Sequence, residues 1–335
     1  MSDDPATPVG ATAAVHPGAA LDGGGRRPLV VVGDVVWDVL IRTNAKLQRG
    51  GDTYGEVELA PGGSAANAAV WARRCDLPTA FVGKVGRDRF GALAEADLAD
   101  EGVEAYLVRT DAHLTGTVAV WIDDEGQRSM VSGKGADHML FPQELPRPLV
   151  ESGRHLHLSA WSFFDDPPRA AVRRAARLAT KVGATLSFDP GSFQMIEAMG
   201  VDAFLEVTAD LGIDVVFPNY DEGRALSGHD DPGAIAEAVA ARFQGALVAL
   251  KLDEHGALVR ERDGTITEVA PQSTRLVDAT GAGDAFAGAF LSRWLRGAPA
   301  ADAARFAVRV SEWVIEQVGA RAPVDERLRG VLGRG

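Results

Sequence analysis

The stretch Asp278-Ala-Thr-Gly-Ala-Gly-Asp284 carries the strongest chemical signal in this sequence. It runs directly into an apolar pattern in which Phe286, Ala289, Phe290 and Trp294 share one face at helical spacing, a face expected to be core. Gly281 and Gly283 let the backbone turn tightly and approach a ligand closely. The first amides of a helix lack intrahelical partners, and together with the helix dipole they suit a phosphate. Asp284 falls in the first turn, beside any anion held there. As a simple capping charge it would be worth only about 0.3–1 kcal/mol. As a base taking the proton of an attacking hydroxyl, it belongs within reach of a transferring phosphoryl group. The dipole is expected to lower its pKa, leaving a weak base that suffices for a loose transition state. A glycine-rich loop with a capping Asp remains the plain alternative.

Three further constellations fit a hydroxyl-bearing ligand and a phosphate. Pro61-Gly62-Gly63-Ser-Ala-Ala-Asn67 places a glycine pair before a small-residue helix, and the amide of Asn67 both donates and accepts hydrogen bonds, as polyol recognition requires. Close helix–sheet packing would explain it equally well. Gly33-Asp34-Val-Val-Trp-Asp38 follows the first strand pattern, where ligands of open parallel sheets sit, and Asp38 can accept from two sugar hydroxyls or lie solvated in a loop. Pro218-Asn219-Tyr-Asp-Glu222 follows another strand. Glu222 there can orient water around magnesium or close a capping box with Asn219, and the two readings are compatible.

These residues need a scaffold of 335 residues, 46% hydrophobic, ample for one large α/β domain. Short apolar runs at 29–32, 79–82, 105–108, 155–158, 185–188, 214–217 and 246–250 alternate with helical patterns at 64–75, 88–100, 168–182 and 232–243. Such alternation predicts a mainly parallel sheet covered on both faces. Two long helices, 282–297 and 301–319, are expected after it. Residues 38–60 and 116–132 break the rhythm with strand-like pieces, including Thr117 to Ile122, a turn at 123–126 and Arg128 to Val131. They predict a small antiparallel sheet outside the main one, a lid whose free edges favour a homodimer. The domain is placed at 28–323, between a disordered tail at 1–27 and a short polar helix or loose terminus at 324–335.

The formal net charge is −13, which disfavours nucleic acid and anionic membrane as partners. No apolar run is long enough to span a membrane, and residues 1–27 lack a secretory pattern. The lone Cys75 excludes an internal disulfide, fits a reducing cytoplasm and is expected in the core. His155 and His157 alternate along a strand without zinc spacing and read as ordinary sheet residues. There is no Gly-x-x-x-x-Gly-Lys-Ser/Thr run and no Gly-x-Gly-x-x-Gly after the first strand, so neither a P-loop enzyme nor a dinucleotide-dependent dehydrogenase is expected.

In this order, over about 28–322, the glycine pair with Asn67, the Asn219/Glu222 pair and the 278–284 loop resemble the ribokinase-like (PfkB) carbohydrate kinases. The resemblance implies a three-layer α/β/α sandwich with a β lid, and transfer from ATP with Mg²⁺ to a hydroxyl of a small sugar or sugar acid. It implies Asp284 as base, Gly281, Ala282 and Gly283 as anion hole, and Asp38, Gly62, Gly63 and Asn67 around the acceptor. Asn219, Lys251, Gly256, Thr280, Gly281 and Gly283 would serve the nucleotide. Glu222 would serve magnesium through water, and Asp278 would belong to a monovalent-cation (K⁺) site. Departures from the family pattern are Val36, Ser64 and Asp253, together with Arg309 and Glu312 where small residues usually flank the adenine. A nucleoside acceptor is the alternative, with Trp37 and Trp121 near the lid as stacking surfaces. A sugar-binding regulator without transfer is the more distant one.

Overall fold

The computed structural model describes residues 27–43, 45–46, 49–122, 128–272 and 275–333. The expected N-terminal tail, apart from Arg27, which opens the first strand, and the expected lid turn at 123–126 lie outside them. The strands in chain order are β1 (Arg27–Val32), β2 (Val36–Thr43), β3 (Gly55–Gly62), β4 (Thr79–Gly86), β5 (Glu104–Thr110), β6 (Gly116–Ile122), β7 (Arg128–Gly133), β8 (Gly153–Ser159), β9 (Thr185–Asp189), β10 (Val215–Val216), β11 (Leu247–Lys251), β12 (Ala257–Arg260) and β13 (Ile266–Val269). The large sheet has the order β13-β12-β11-β10-β9-β8-β1-β4-β5. It is parallel from β11 to β5, and β12 and β13 add antiparallel edges. Strand order reverses around β1, which lies between β4 and β8, so the crevice beyond its C-terminal end is the natural ligand site.

Strand β1 shows why the sandwich forms. Its Leu29, Val30, Val31 and Val32 are all buried, and alternate side chains feed opposite cores. Leu29 and Val31 join a core with the helices Ser64–Arg74, Ala282–Trp294 and Ala300–Ile315. Val30 and Val32 join one with the helices Pro168–Lys181 and Pro232–Arg242. Cys75 is buried in the first core, as expected. His155 and His157 hydrogen-bond Ser187 inside the sheet, and His155 also bonds Thr185. The segment after 323 is not loose, because helix Glu326–Leu332 docks Leu328 into the first core. No helix among the described residues is long and apolar enough to cross a membrane.

The lid sheet has the order β3-β2-β6-β7, with β2 and β6 parallel and the outer pairs antiparallel. Its register puts Asp38, Leu40, Val118 and Val120 on one face, and Leu40 and Val120 are buried there. The other face carries Val39, Ile41, Val57, Leu59, Ala119, Trp121 and Val131. Trp121 therefore faces away from Asp38, contrary to its expected role as a stacking surface. Trp37 is unavailable for a different reason: it is 8% exposed, packs against Phe90 and donates its indole N–H to the Phe90 carbonyl at 3.0 Å.

Two helices from opposite ends of the chain set the site. Ser64–Arg74 and Ala282–Trp294 cross where Gly288 meets Ala68 and Ala72, and a Cβ on Gly288 would lie 2.6 Å from the Ala68 carbonyl oxygen and the Ala72 nitrogen. Only backbone against backbone fits there. Gly288→Ala is expected to push the helices apart, lowering stability by about 1–3 kcal/mol and separating Asn67 from Asp284. Chemical denaturation and turnover of the variant check this together, and unchanged values for both contradict it.

Candidate active site

The expected phosphate end is built on the loop ahead of helix Ala282–Trp294. Gly281 caps that helix with φ +74°, and a Cβ there would lie 2.5 Å from Ala320 Cβ, so the position requires glycine. Asp278 braces the turn. One of its oxygens accepts from the Thr280 N–H (2.9 Å) and hydroxyl (2.7 Å), and the other from the Gly319 N–H (2.9 Å). Through these bonds Asp278 and Thr280 hold the loop. Among the expected anion-hole amides, that of Ala282 turns back to the Ala279 carbonyl at 3.3 Å. The next amides, of Gly283 and Asp284, are the early helix donors that suit an anion.

A buried cation stands at the same tip. Lys251 Nζ would be 3.1 Å from a Cβ on Gly283 and pairs with Asp189 at 2.8 Å. Burial opposes its charge, but Asp189, Glu222 and Asp284 outweigh that and hold its pKa above the usual lysine value. Asn219 adjoins Lys251 as an isolated bridge, and the Lys251 amide donates to the Pro218 carbonyl. Asn219 also caps helix Tyr220–Ser227. Its side chain accepts from the Glu222 amide, while the Glu222 carboxylate accepts from the Asn219 backbone and side-chain N–H groups at 2.8 and 3.0 Å. Glu222 is 2% exposed, and burial pushes its pKa up to about 7. The capping box is thus formed. Among the described residues no cluster of His, Cys, Asp or Glu could itself hold a metal ion.

Asp284 lies between this cluster and the acceptor end. It keeps partial exposure, so it is not sealed in hydrocarbon. The helix dipole was expected to lower its pKa, and the structure reverses that sign. Burial, then Asp189 and Asp34, push it up to about 7 against the opposing pull of Asn67 and Lys251. Removing water from a carboxylate outweighs a terminal dipole worth about 1 kcal/mol or less.

At the expected acceptor end, Asn67 Nδ2 donates to Asp284 Oδ2 at 2.8 Å. Gly63, at φ +93°, lets the chain turn from β3 into helix Ser64–Arg74, and a Cβ there would strike the backbone of Asp34 and Val35. A Cβ on Gly62 would lie 2.6 Å from both oxygens of Asp38, so this glycine leaves the space the carboxylate fills. Asp38 sits on lid strand β2, not in a loop. Burial raises its pKa to about 6, with Arg321 pulling it down and Asp34 and Asp278 pushing it up.

Sequence reasoning left three contributors unassigned. Asp34 accepts from the amides of Ser64 (2.7 Å) and Ala65 (3.2 Å), fixing the start of the Asn67 helix. Asp189 ends buried strand β9, a position that could have marked it. Arg321 reaches Asn67 from the C-terminal loop. Gly256 has φ +84° and sits against Val269 and Pro271 in the turn after β11, while Asp253 has φ +49°, which explains why glycine is frequent at that position. Glu312 accepts from the Gln272 amide and, with Arg309, lines a surface cleft beside the helix Glu326–Leu332.

Comparison with known proteins shows the family and the fold. The pfkB family of carbohydrate kinases matches residues 26–327, and the chain belongs to it. It is a kinase with the ribokinase-like fold. An ATP-dependent ribose-1-phosphate kinase from Halopiger xanaduensis is 30% identical over 303 residues, covering 90% of this chain and 96% of the relative. A fructokinase from Escherichia coli is 31% identical over 265 residues, covering 78% and 82%. The fold matches the crystal structure of adenosine kinase from Sinorhizobium meliloti with a TM-score of 0.83 at 24% identity, covering 92% of this chain and all of that one.

The raised pKa of Asp284 has a stability consequence. The native state binds this proton more tightly than the unfolded chain. Its stabilising contribution is therefore complete below about pH 4 and is lost as pH rises through about 7. Asp284→Asn removes the buried charge. It is expected to raise the melting temperature at pH 8, by up to on the order of 3 kcal/mol in stability, and to change it little at pH 5. Equal melting temperatures at pH 8 contradict the assignment.

Proposed function

We propose that this kinase transfers the terminal phosphoryl group of ATP to a hydroxyl, a primary alcohol, of a small neutral polyhydroxy sugar, with Asp284 as the base. The observation that carries the reading is the Asn67–Asp284 hydrogen bond at a glycine-turned helix tip, on a carboxyl poised near neutrality. A base works best with a pKa near the operating pH. Mere binding of a sugar needs no carboxylate beside a phosphate site, which argues against a regulator without transfer.

Each residue then has a task. The amides of Gly283 and Asp284 and the ammonium of Lys251 receive the transferring phosphoryl oxygens and offset charge as it develops. Gly281, Thr280 and Asp278 hold that tip in shape. Asp284, kept in place by Asn67, takes the acceptor proton. Asp38 accepts hydroxyl protons across Gly62 and Gly63. Magnesium, when bound, would supply charge neutralisation at the phosphoryl oxygens, and Glu222 and Asn219 are the residues that would hold it, through water. No step is assigned to potassium.

The electrostatics favour a neutral acceptor over a sugar acid or a sugar phosphate. The charges acting on Asp38 are Arg321, Asp34 and Asp278, and the one cation among them is already bound by Asn67 and Asp97. An anionic acceptor would bring a charge against these carboxylates. With Trp37 buried and Trp121 on the far face of the lid, neither tryptophan offers a stacking surface for a nucleoside at the acceptor site. A second copy of this chain is the proposed partner. The lid's outer face leaves Val57 65%, Leu59 54% and Val131 72% exposed on a sheet whose inner face closes the site, and covering it would fix the lid.

Asp284→Asn is expected to lower kcat by about 10²–10⁴-fold in an ADP-release assay over neutral sugars, sugar acids and nucleosides. For the native enzyme, kcat/KM should fall as pH drops through about 7, because only the ionised carboxylate accepts a proton. Near-normal turnover of the variant contradicts the assignment. Val57→Asp is expected to convert a dimer into a monomer in sedimentation, and an unaltered mass contradicts the proposed partner.

A further inference from the structure

Arg321 lies in the loop between helix Ala300–Ile315 and helix Glu326–Leu332, far in sequence from both ends of the site. Its side chain is 1% exposed, and each of its three nitrogens donates a hydrogen bond. Nε donates to Asn67 Oδ1 at 2.7 Å, Nη2 to the Gly62 carbonyl at 3.2 Å, and Nη1 to Asp97. The loop is tied down from two sides. Trp71 Nε1 donates to the Ala320 carbonyl (2.9 Å), Arg74 to the carbonyls of Ala322 (2.9 Å) and Arg321 (3.2 Å), and the Gly319 amide to Asp278 (2.9 Å).

This arrangement resolves an ambiguity that Asn67 alone would have. A carboxamide has nearly the same shape in its two flipped orientations, and only its partners decide which end faces where. Turned over, Asn67 would set its carbonyl oxygen against the oxygen of Asp284. Because Nε of Arg321 donates to Oδ1, Nδ2 is left to Asp284. The same guanidinium holds the Gly62 carbonyl, hence the glycine turn beneath Asp38. We infer that Arg321 is the positioning residue of the active site: through Asn67 it orients the base, and through Gly62 it fixes the turn that receives the acceptor. This rests on Asp284 being the base.

The charges fit that role. Arg321 lies within the field of Asp97, Glu101, Arg74 and Asp284, and it opposes the upward push of burial on Asp38. Asp284 is faced by Asp189, Asp34 and Glu222 on the acidic side and by Lys251 and Arg321 on the basic side. Losing Arg321 removes one of two buried cations that keep these carboxylates ionised. The acidic limb of the rate profile must then move to higher pH.

The test compares Arg321→Met, Arg321→Lys and Asp284→Asn, with circular dichroism to confirm folding. Arg321→Met is expected to lower kcat about 10–100-fold, leave KM for ATP within about twofold, and move the acidic limb of kcat/KM up by about one pH unit. Arg321→Lys keeps the charge but cannot span Asn67 and Gly62, so its limb stays near the native position while kcat remains reduced by about fivefold or more. A folded Arg321→Met with native kcat and native limb, or one that only melts earlier, overturns the inference. Should that variant not fold, Arg321→Lys with native kcat does the same. Loss of activity in Asp284→Asn alongside either result confines the failure to Arg321, whereas an active Asp284→Asn overturns the base assignment and this inference with it.

Discussion

One hydrogen bond, between Asn67 and Asp284, joins two helices through residues 217 apart in the sequence. Much of the architecture exists to make that contact short. The alanines of the first helix and Gly288 of the second let the two backbones touch. Gly63 and Asp34 set where the first helix begins, and Gly281 sets the second, packed against Ala320. Small residues here are therefore a geometric requirement of that contact, because a larger side chain between the helices would part Asp284 from Asn67.

The site concentrates acid where water is scarce. Asp34, Asp38 and Asp284 are raised mainly by burial, and Glu222 likewise. Two buried cations, Lys251 and Arg321, oppose this without cancelling it. Burying carboxylates costs stability, yet it brings Asp284 near neutrality, where a base is effective. In the proposed reading a phosphoryl donor at the Lys251 end would add negative charge on one side. The proposed acceptor side, already acidic, would then best tolerate a ligand that brings hydroxyls and no charge.

What was legible in the sequence was local. The 278–284 loop, the Gly62-Gly63 to Asn67 turn and the buried run of β1 each announce themselves through adjacent residues; the alternation of strands and helices specified the sandwich, and the two stretches that break it specified the separate lid. What depended on long-range placement was not legible. Arg321 lies in a loop without periodicity, and its partners Gly62, Asn67 and Asp97 come from the other end of the chain. The two tryptophans near the lid were misplaced because strand register decides which face Trp121 occupies, and packing against Phe90 decides Trp37. The sign of the Asp284 shift was missed for a related reason: the helix dipole can be read from position, but desolvation depends on everything folded around it.

The central claim is that Asp284 is an acid–base group tuned to neutrality by burial and held by Asn67. A ¹³C NMR titration of the aspartate carboxyl carbons, with the Asp284 resonance assigned by its disappearance in Asp284→Asn, tests it directly. The account predicts a midpoint near 7 for that resonance. A midpoint near the ordinary carboxylate value of about 4 would contradict it, leaving a capping residue where a base has been placed.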